Sequence, residues 1–187
     1  MAAKEAPTRA TYEDVLSAPP HVVAEVIRGA LHLHPRPRAR HARAATRLVQ
    51  KLGPPFDEGN GGPGGWILLD EPELHLGEEI VVPDLAGWRR STMPELPDDV
   101  FFTLRPDWAC EVLSPSTQEI DRGEKVPLYA AHGVAHVWIV DPLLQMLEVL
   151  RLDGETYRLL PPYKGAARVR AEPFQELELD LAALWAR

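Results

Sequence analysis

Residues Trp108-Ala109-Cys110-Glu111-Val112-Leu113 place a carboxylate inside a run that is otherwise apolar. A short run of this kind reads as a central strand covered on both faces, so the chain has to build a sheet with layers packed on each side. Val137-Trp138-Ile139-Val140, closed by Asp141-Pro142, reads as a second buried strand. Between the two, Ser116-Thr117-Gln118-Glu119 has the form of a capping box and predicts a helix ending near Gly133. Pro127 falls inside that helix and lacks a backbone donor, which predicts a break or kink.

The flanks read as antiparallel ribbons. Thr11, with Asp14 three residues on, caps a short helix that Pro19-Pro20 stops. Val22 to Leu33 reads as strands around a turn at Arg28-Gly29, and Arg40 to Leu52 puts Ala44, Ala45, Leu48, Val49 and Leu52 on one helical stripe. The glycines from Gly59 to Gly65 predict a loop, and no Lys-Ser or Lys-Thr follows to make it a phosphate loop. Trp66 to Leu69, Glu73 to Leu76 and Ile80 to Trp88 read as successive strands, Met146 to Leu152 with Tyr157 to Leu160 as a hairpin around Asp153-Gly154, and Leu181 to Trp185 as helix. The expected class is α/β: a mixed central β-sheet flanked by helices, with additional antiparallel strands. A chain of 187 residues fits one domain: an N-terminal helix and strands over 11–52, a core over about 66–142, and a C-terminal hairpin and helix over 145–187.

Composition removes several classes of function. With 45% apolar and 26% charged residues and no long apolar stretch, membrane insertion is not expected. Met1 to Pro7 shows no leader pattern and the lone Cys110 cannot form an internal disulfide, so a cytoplasmic location is expected. The net charge of -8 argues against nonspecific coating of nucleic acid, yet Val26 to Phe56 holds no acid. That segment carries Arg28, Arg36, Arg38, Arg40, Arg43, Arg47 and Lys51, with His32, His34 and His41. The basic residues are either the solvated side of an amphipathic helix or a phosphate-contacting patch.

The chemistry turns on Asp84, in Ile80-Val81-Val82-Pro83-Asp84-Leu85, and on Glu111. Carboxylates in such apolar places need compensation, and two that converge make a divalent-metal site. Hard oxygen donors suit Mg2+, with Mn2+ as substitute, better than Zn2+, for which the single cysteine and scattered histidines offer no spacing. Lys125 is the candidate for orienting an attacking water. Taken singly, Asp84 could be a strand-end acid, Glu111 could pair with an arginine, and Lys125 could be a solvated helix residue beside Asp121. Cys110 should face away from Glu111 as a small buried hydrophobe, Ser114 and Ser116 read as caps, and His41 reads as an exposed residue of a basic helix.

Several segments together resemble a known family. They are Ala24-Glu25-Val26-Ile27-Arg28-Gly29, Pro35 to His41, Val82-Pro83-Asp84-Leu85, and Glu111-Val112-Leu113-Ser114-Pro115-Ser116. Asp121, Lys125, Tyr129, Gly133-Val134 and Trp138-Ile139-Val140-Asp141-Pro142 complete the pattern. From about Tyr12 to Leu152 the chain resembles the Uma2 family of restriction endonucleases, within the PD-(D/E)XK nuclease superfamily. The resemblance implies a restriction-endonuclease-like core and magnesium-dependent DNA cleavage. It further implies Asp84 and Glu111 as metal ligands, the Val112 carbonyl as a further oxygen, and Glu25 as an acid on the preceding N-terminal element. The superfamily's lysine, two residues after the Glu, would fall at Leu113, so its role passes to Lys125. The reading is a metal-dependent endonuclease in which Arg36, Arg38, Arg40, His41 and Arg43 contact nucleic acid. DNA is the expected substrate, RNA the other, and a homodimer is expected because cutting both strands takes two sites. The alternative is a catalytically silent nucleic-acid-binding or scaffolding domain with the same fold.

Overall fold

The computed structural model describes residues 9–186, so the leader reading at Met1 to Pro7 lies outside the described residues. Helix α1 (Tyr12–Leu16) starts where the Thr11 N–H donates to Asp14 Oδ2 at 2.8 Å, as its sequence predicts. Strands β1 (Val22–Ile27) and β2 (Ala30–Pro35) form a hairpin whose turn holds Arg28 and Gly29 at φ of 52° and 76°. Two successive left-handed residues match the twist of the strands they join. Helix α2 (Ala39–Leu52) buries Ala44, Leu48 and Leu52 and runs on into a π-helical turn, Gly53–Asp57, which the loop glycines follow.

Strands β3 (Trp66–Asp70), β4 (Leu74–Leu76), β5 (Glu79–Val81) and β6 (Leu85–Arg89) come next. The single strand expected over Ile80 to Trp88 is in fact two, and they lie in different sheets. Pro83 has no N–H to continue a ladder, and the Val82 N–H is taken by the Glu25 carboxylate at 2.7 Å, so pairing stops at Val82. The chain then crosses from one sheet to the other and delivers Asp84 at the crossing.

Strand β7 (Trp108–Val112) is buried at every position. Helix α3 (Gln118–Ile120), a π-helical turn over Asp121–Lys125 and helix α4 (Val126–Ala131) then make one interrupted helical segment. The break predicted from Pro127 is thus a widened turn just before it. The expected capping box is not formed. The helix starts after Thr117, and the Ser114 carbonyl accepts the N–H groups of Thr117 and Gln118 at 3.2 and 3.0 Å. Strands β8 (His136–Asp141), β9 (Met146–Asp153), β10 (Thr156–Leu159), β11 (Tyr163–Lys164), β12 (Arg168–Val169) and β13 (Leu179–Asp180) lead to helix α5 (Ala182–Trp185).

The main sheet has the order β10-β9-β8-β7-β6-β3, with β11 also on β9, and only β7 and β8 pair in parallel. A smaller antiparallel sheet has the order β2-β1-β5-β4. Because strand side chains alternate, β7 supplies two cores. Trp108, Cys110 and Val112 face α2 and the C-terminal segment around Phe174 and Leu184, while Ala109 and Leu113 face α4 and the small sheet. Glu111 shares the parity of Ala109 and therefore points into the gap between β7, α4 and β1.

Candidate active site

Four elements meet at that gap. In the antiparallel ladder of β6 and β7, Leu85 lies opposite Cys110 and Ala86 opposite Ala109. Asp84 directly precedes β6 at this end of the ladder, and it lines the same cleft as Glu111. The Val112 N–H donates to Asp84 Oδ2 at 2.7 Å and fixes that carboxylate against the end of β7. From the helical side Lys125 Nζ reaches Glu111 Oε1 at 2.9 Å and Glu25 Oε1 at 3.0 Å, and it donates to the Val82 carbonyl at 3.1 Å. Asp121, one helical step earlier, lies 3.9 Å from the same ammonium. The Tyr129 hydroxyl, one step later, donates to Glu111 Oε1 at 2.6 Å.

The lysine is therefore not a solvated helix residue. Lys125 is 3% exposed and Glu111 2% exposed. Asp121 and Lys125, four residues apart, share one helical face and both are buried in a π-helical turn directly ahead of Pro127; such turns recur at functional sites. Leu113, at the superfamily's usual lysine position, is buried core.

His41 corrects a second expectation. Its side chain is 11% exposed, and Nε2 lies 3.0 Å from Asp84 Oδ1, while Nδ1 is buried without a hydrogen-bond partner. The sequence carried the signal: His41 continues the stripe of Ala44, Ala45, Leu48 and Leu52 at helical spacing. His34, which no motif singled out, lies with Nε2 3.1 Å from Glu25 Oε2. The β1–β2 register, in which Glu25 faces His32, puts His34 diagonally across on the same face.

A cleft of about 240 Å³ opens onto this group, lined by Glu25, His34, His41, Asp84, Glu111 and Lys125, with Arg36 and Arg38 among its other lining residues. Ser114, Ser116 and Thr117 line it too, their hydroxyls linked at 3.0 Å. Arg36 is exposed and lies 3.6 Å from Glu71. Arg40 and Arg43 do not join the acid cleft; both are exposed and line a neighbouring pocket. Cys110 is buried on the opposite face, as expected, and burial raises its thiol pKa, with Asp84 and Glu111 adding to the rise.

Electrostatics follow from burial and crowding. Burial alone would push Glu25 up, but Lys125, the His34 contact and the Val82 N–H together hold its carboxyl down at about 2. Burial works against the Lys125 charge, yet Glu111, Glu25 and Asp121 raise its pKa, so it stays an ammonium. Glu111 is pushed well up by burial, and Lys125 only partly offsets the added repulsion of Asp121, Asp84 and Glu25. Burial disfavours the His41 cation, but Asp84 with Asp121 and Glu71 raises its pKa overall.

This donor set fits Mg2+. Both contacts to Glu111 fall on Oε1, so Oε2 is without a hydrogen bond among the described residues. Glu25, Glu111 and Asp121 crowd around one ammonium and Asp84 adds to the repulsion at Glu111, a crowding of acids that a divalent cation would relieve. Among the described residues no group of three or more His, Cys, Asp or Glu side chains could enclose an ion. An ion here would therefore rest on one or two carboxylates with water and substrate oxygens as its other ligands, the way magnesium is commonly held.

The architecture, a mixed central sheet flanked by helices with additional antiparallel strands, is the expected α/β class. The chain belongs to the Uma2 family, described as "Putative restriction endonuclease", whose model matches residues 9–182. Its fold is similar to the crystal structure of a "putative nuclease belonging to DUF820" from Anabaena variabilis. That match has a TM-score of 0.75 at 22% identity and covers 94% of this chain and 97% of the other. No curated protein matches the sequence. No described helix is long and apolar enough to cross a membrane.

Proposed function

We propose that the protein is a magnesium-dependent endonuclease that hydrolyses phosphodiester bonds in DNA. The observation that carries this reading is one cleft lined by both Asp84 and Glu111, with Lys125 Nζ 2.9 Å from Glu111 Oε1. Asp84 and Glu111 would hold the ion, with the Val112 carbonyl as a further oxygen; the bound ion supplies charge neutralisation at the phosphate and a hydroxide near neutral pH. Lys125 is kept cationic by its acids, so it serves as a hydrogen-bond donor that orients the water and stabilises developing charge, and not as a base. Glu25 is held ionised and anchors that ammonium. Arg36, Arg38, Arg40, His41 and Arg43 contact the phosphates. Two such centres are needed to cut both strands, which extends the reading to a homodimer, checked by light scattering. The location that goes with it is the cytoplasm, where Cys110 stays a thiol.

One observation favours a second reading, a binding domain without catalysis: Lys125 and Tyr129 already occupy Glu111 Oε1. Plasmid nicking separates the two. The nuclease reading expects cleavage in Mg2+ or Mn2+, none in EDTA, and a loss of at least about a hundredfold in Asp84→Asn and Glu111→Gln. Cleavage that survives both substitutions belongs to a contaminant, and binding without cleavage selects the silent domain.

A further inference from the structure

A second pocket, of about 580 Å³, lies beside the acid cleft, between the first turns of α2, the turn that joins β8 to β9, and α5. Its walls combine Arg40 and Arg43 with Leu143, Leu184 and Trp185, and Gln145 adds a polar edge. The two cavities form a continuous track. Arg38, His41 and Ser114 line both the acid cleft and an intermediate hollow, and that hollow shares Arg40 and Leu143 with the second pocket.

The apolar wall is exposed and held in place. Leu143, in the pocket wall, and its neighbour Leu144 are 55% and 68% exposed, adjacent apolar side chains left in water. Their N–H groups donate to Asp141 Oδ1 at 2.8 and 2.9 Å, which locks the turn and presents both side chains outward. Trp185 is fixed at one edge, where its indole N–H donates to the Gly165 carbonyl at 2.8 Å. The opposite wall is cationic. Arg36 pairs with Glu71, but Arg38, Arg40 and Arg43 make no ion pair among the described residues, and the first turn of α2 holds no acid to offset its N-terminal dipole.

We infer that this pocket seats an unpaired nucleotide flanking the scissile phosphate, so that the protein acts on single-stranded nucleic acid or on a strand opened at the cut. The inference rests on the nuclease reading and specifies its substrate. Arginines spaced along a track to the acids match a phosphate backbone in charge, and an aliphatic and indole wall beside them matches the face of an exposed base; single-strand sites combine these two features. A paired base keeps its face stacked within the duplex and cannot enter, so a duplex must open by at least one base pair to fill the pocket.

The test is fluorescence anisotropy of the full chain in EDTA with a fluorescein-labelled 12-nucleotide strand, the same sequence as blunt duplex, and a duplex mismatched at its centre. The expected order is single strand, then mismatched duplex, then blunt duplex, with about tenfold between first and last. Leu143→Ser, at an exposed position, should weaken single-strand binding about tenfold at an unchanged melting temperature and leave duplex binding alone. Arg40→Gln and Arg43→Gln should each lower the log-log salt slope by about 0.7. Equal affinity for strand and duplex overturns the inference, as does single-strand affinity indifferent to Leu143→Ser. If the substitution instead splits a dimer in light scattering while oligonucleotide binding is unchanged, the pocket is an interface between copies and the inference falls. Because the readout is binding without metal, these failures are distinct from a failure to cleave.

Discussion

At the scale of single residues, Lys125 holds the site together. It is one cation buried against Glu25, Glu111 and Asp121, and removing it leaves acids without a partner. Lys125→Met should therefore destabilise the fold by about 3–5 kcal/mol in urea denaturation, since breaking a buried pair strands the other charge. The partner Glu25 gives a pH test. Its carboxyl is held at about 2, below the ordinary glutamate value, so the stability it contributes is complete above that ordinary value and is lost as pH falls toward 2. Wild type should lose on the order of 3 kcal/mol through this window. Glu25→Gln should be less stable at neutral pH and should show that part of the acid slope missing. Glu111 acts in the opposite sense. Its raised pKa means that the folded state holds a proton longer than the unfolded one, so its ionisation erodes stability as pH rises.

At the scale of elements, the site depends on how closely β3, β6 and β7 lie together. A Cβ built on Gly87 of β6 would meet Leu68 Cδ2 at 2.7 Å and the rings of Trp108 and Trp66 at 3.2 and 3.3 Å. Gly87→Ala should destabilise by about 1–3 kcal/mol through overpacking, read as an earlier urea midpoint with an unchanged slope. The elements also separate what the sequence made legible from what it did not. Trp108 to Val112 and Val137 to Val140 were readable as buried strands because local apolar density suffices for that. The break before Pro127 is readable as a break, but not its form, a π-helical turn, nor the burial of Lys125 against Glu111 and Glu25, acids far away in the chain. The split at Val82-Pro83-Asp84 was missed because Ile80 to Trp88 is continuous in hydrophobicity. Pro83 is the local mark of the break, and the long-range bond from the Val82 N–H to Glu25 completes it. His41 reads as exposed because its neighbours Arg40 and Arg43 dominate the local charge, although it sits on the apolar stripe and is 11% exposed.

At the scale of the whole molecule, the site exists because two sheets meet at one crossing. The small sheet brings Glu25 and His34, the main sheet Asp84 and Glu111, α2 His41, and the interrupted helix Asp121, Lys125 and Tyr129. No local pattern announces such a convergence, and the resemblance to a nuclease family was what pointed to Glu25. The charge asymmetry belongs to this scale as well: in a chain of net charge -8, the acid-free segment from Val26 to Phe56 carries Arg36 and Arg38, which line the acid cleft, and under the proposed function it is this side that would draw a phosphate backbone. The central claim is that Asp84 and Glu111 share one divalent cation beside Lys125. A crystal soaked in Mn2+ and measured at the manganese absorption edge tests it most directly. The account predicts an anomalous peak between the two carboxylates, with His41 drawn off Asp84 Oδ1 or Glu111 coordinating through Oε2. Absence of a peak at saturating Mn2+, with Asp84 still on His41 and Glu111 still held by Lys125 and Tyr129, would contradict it.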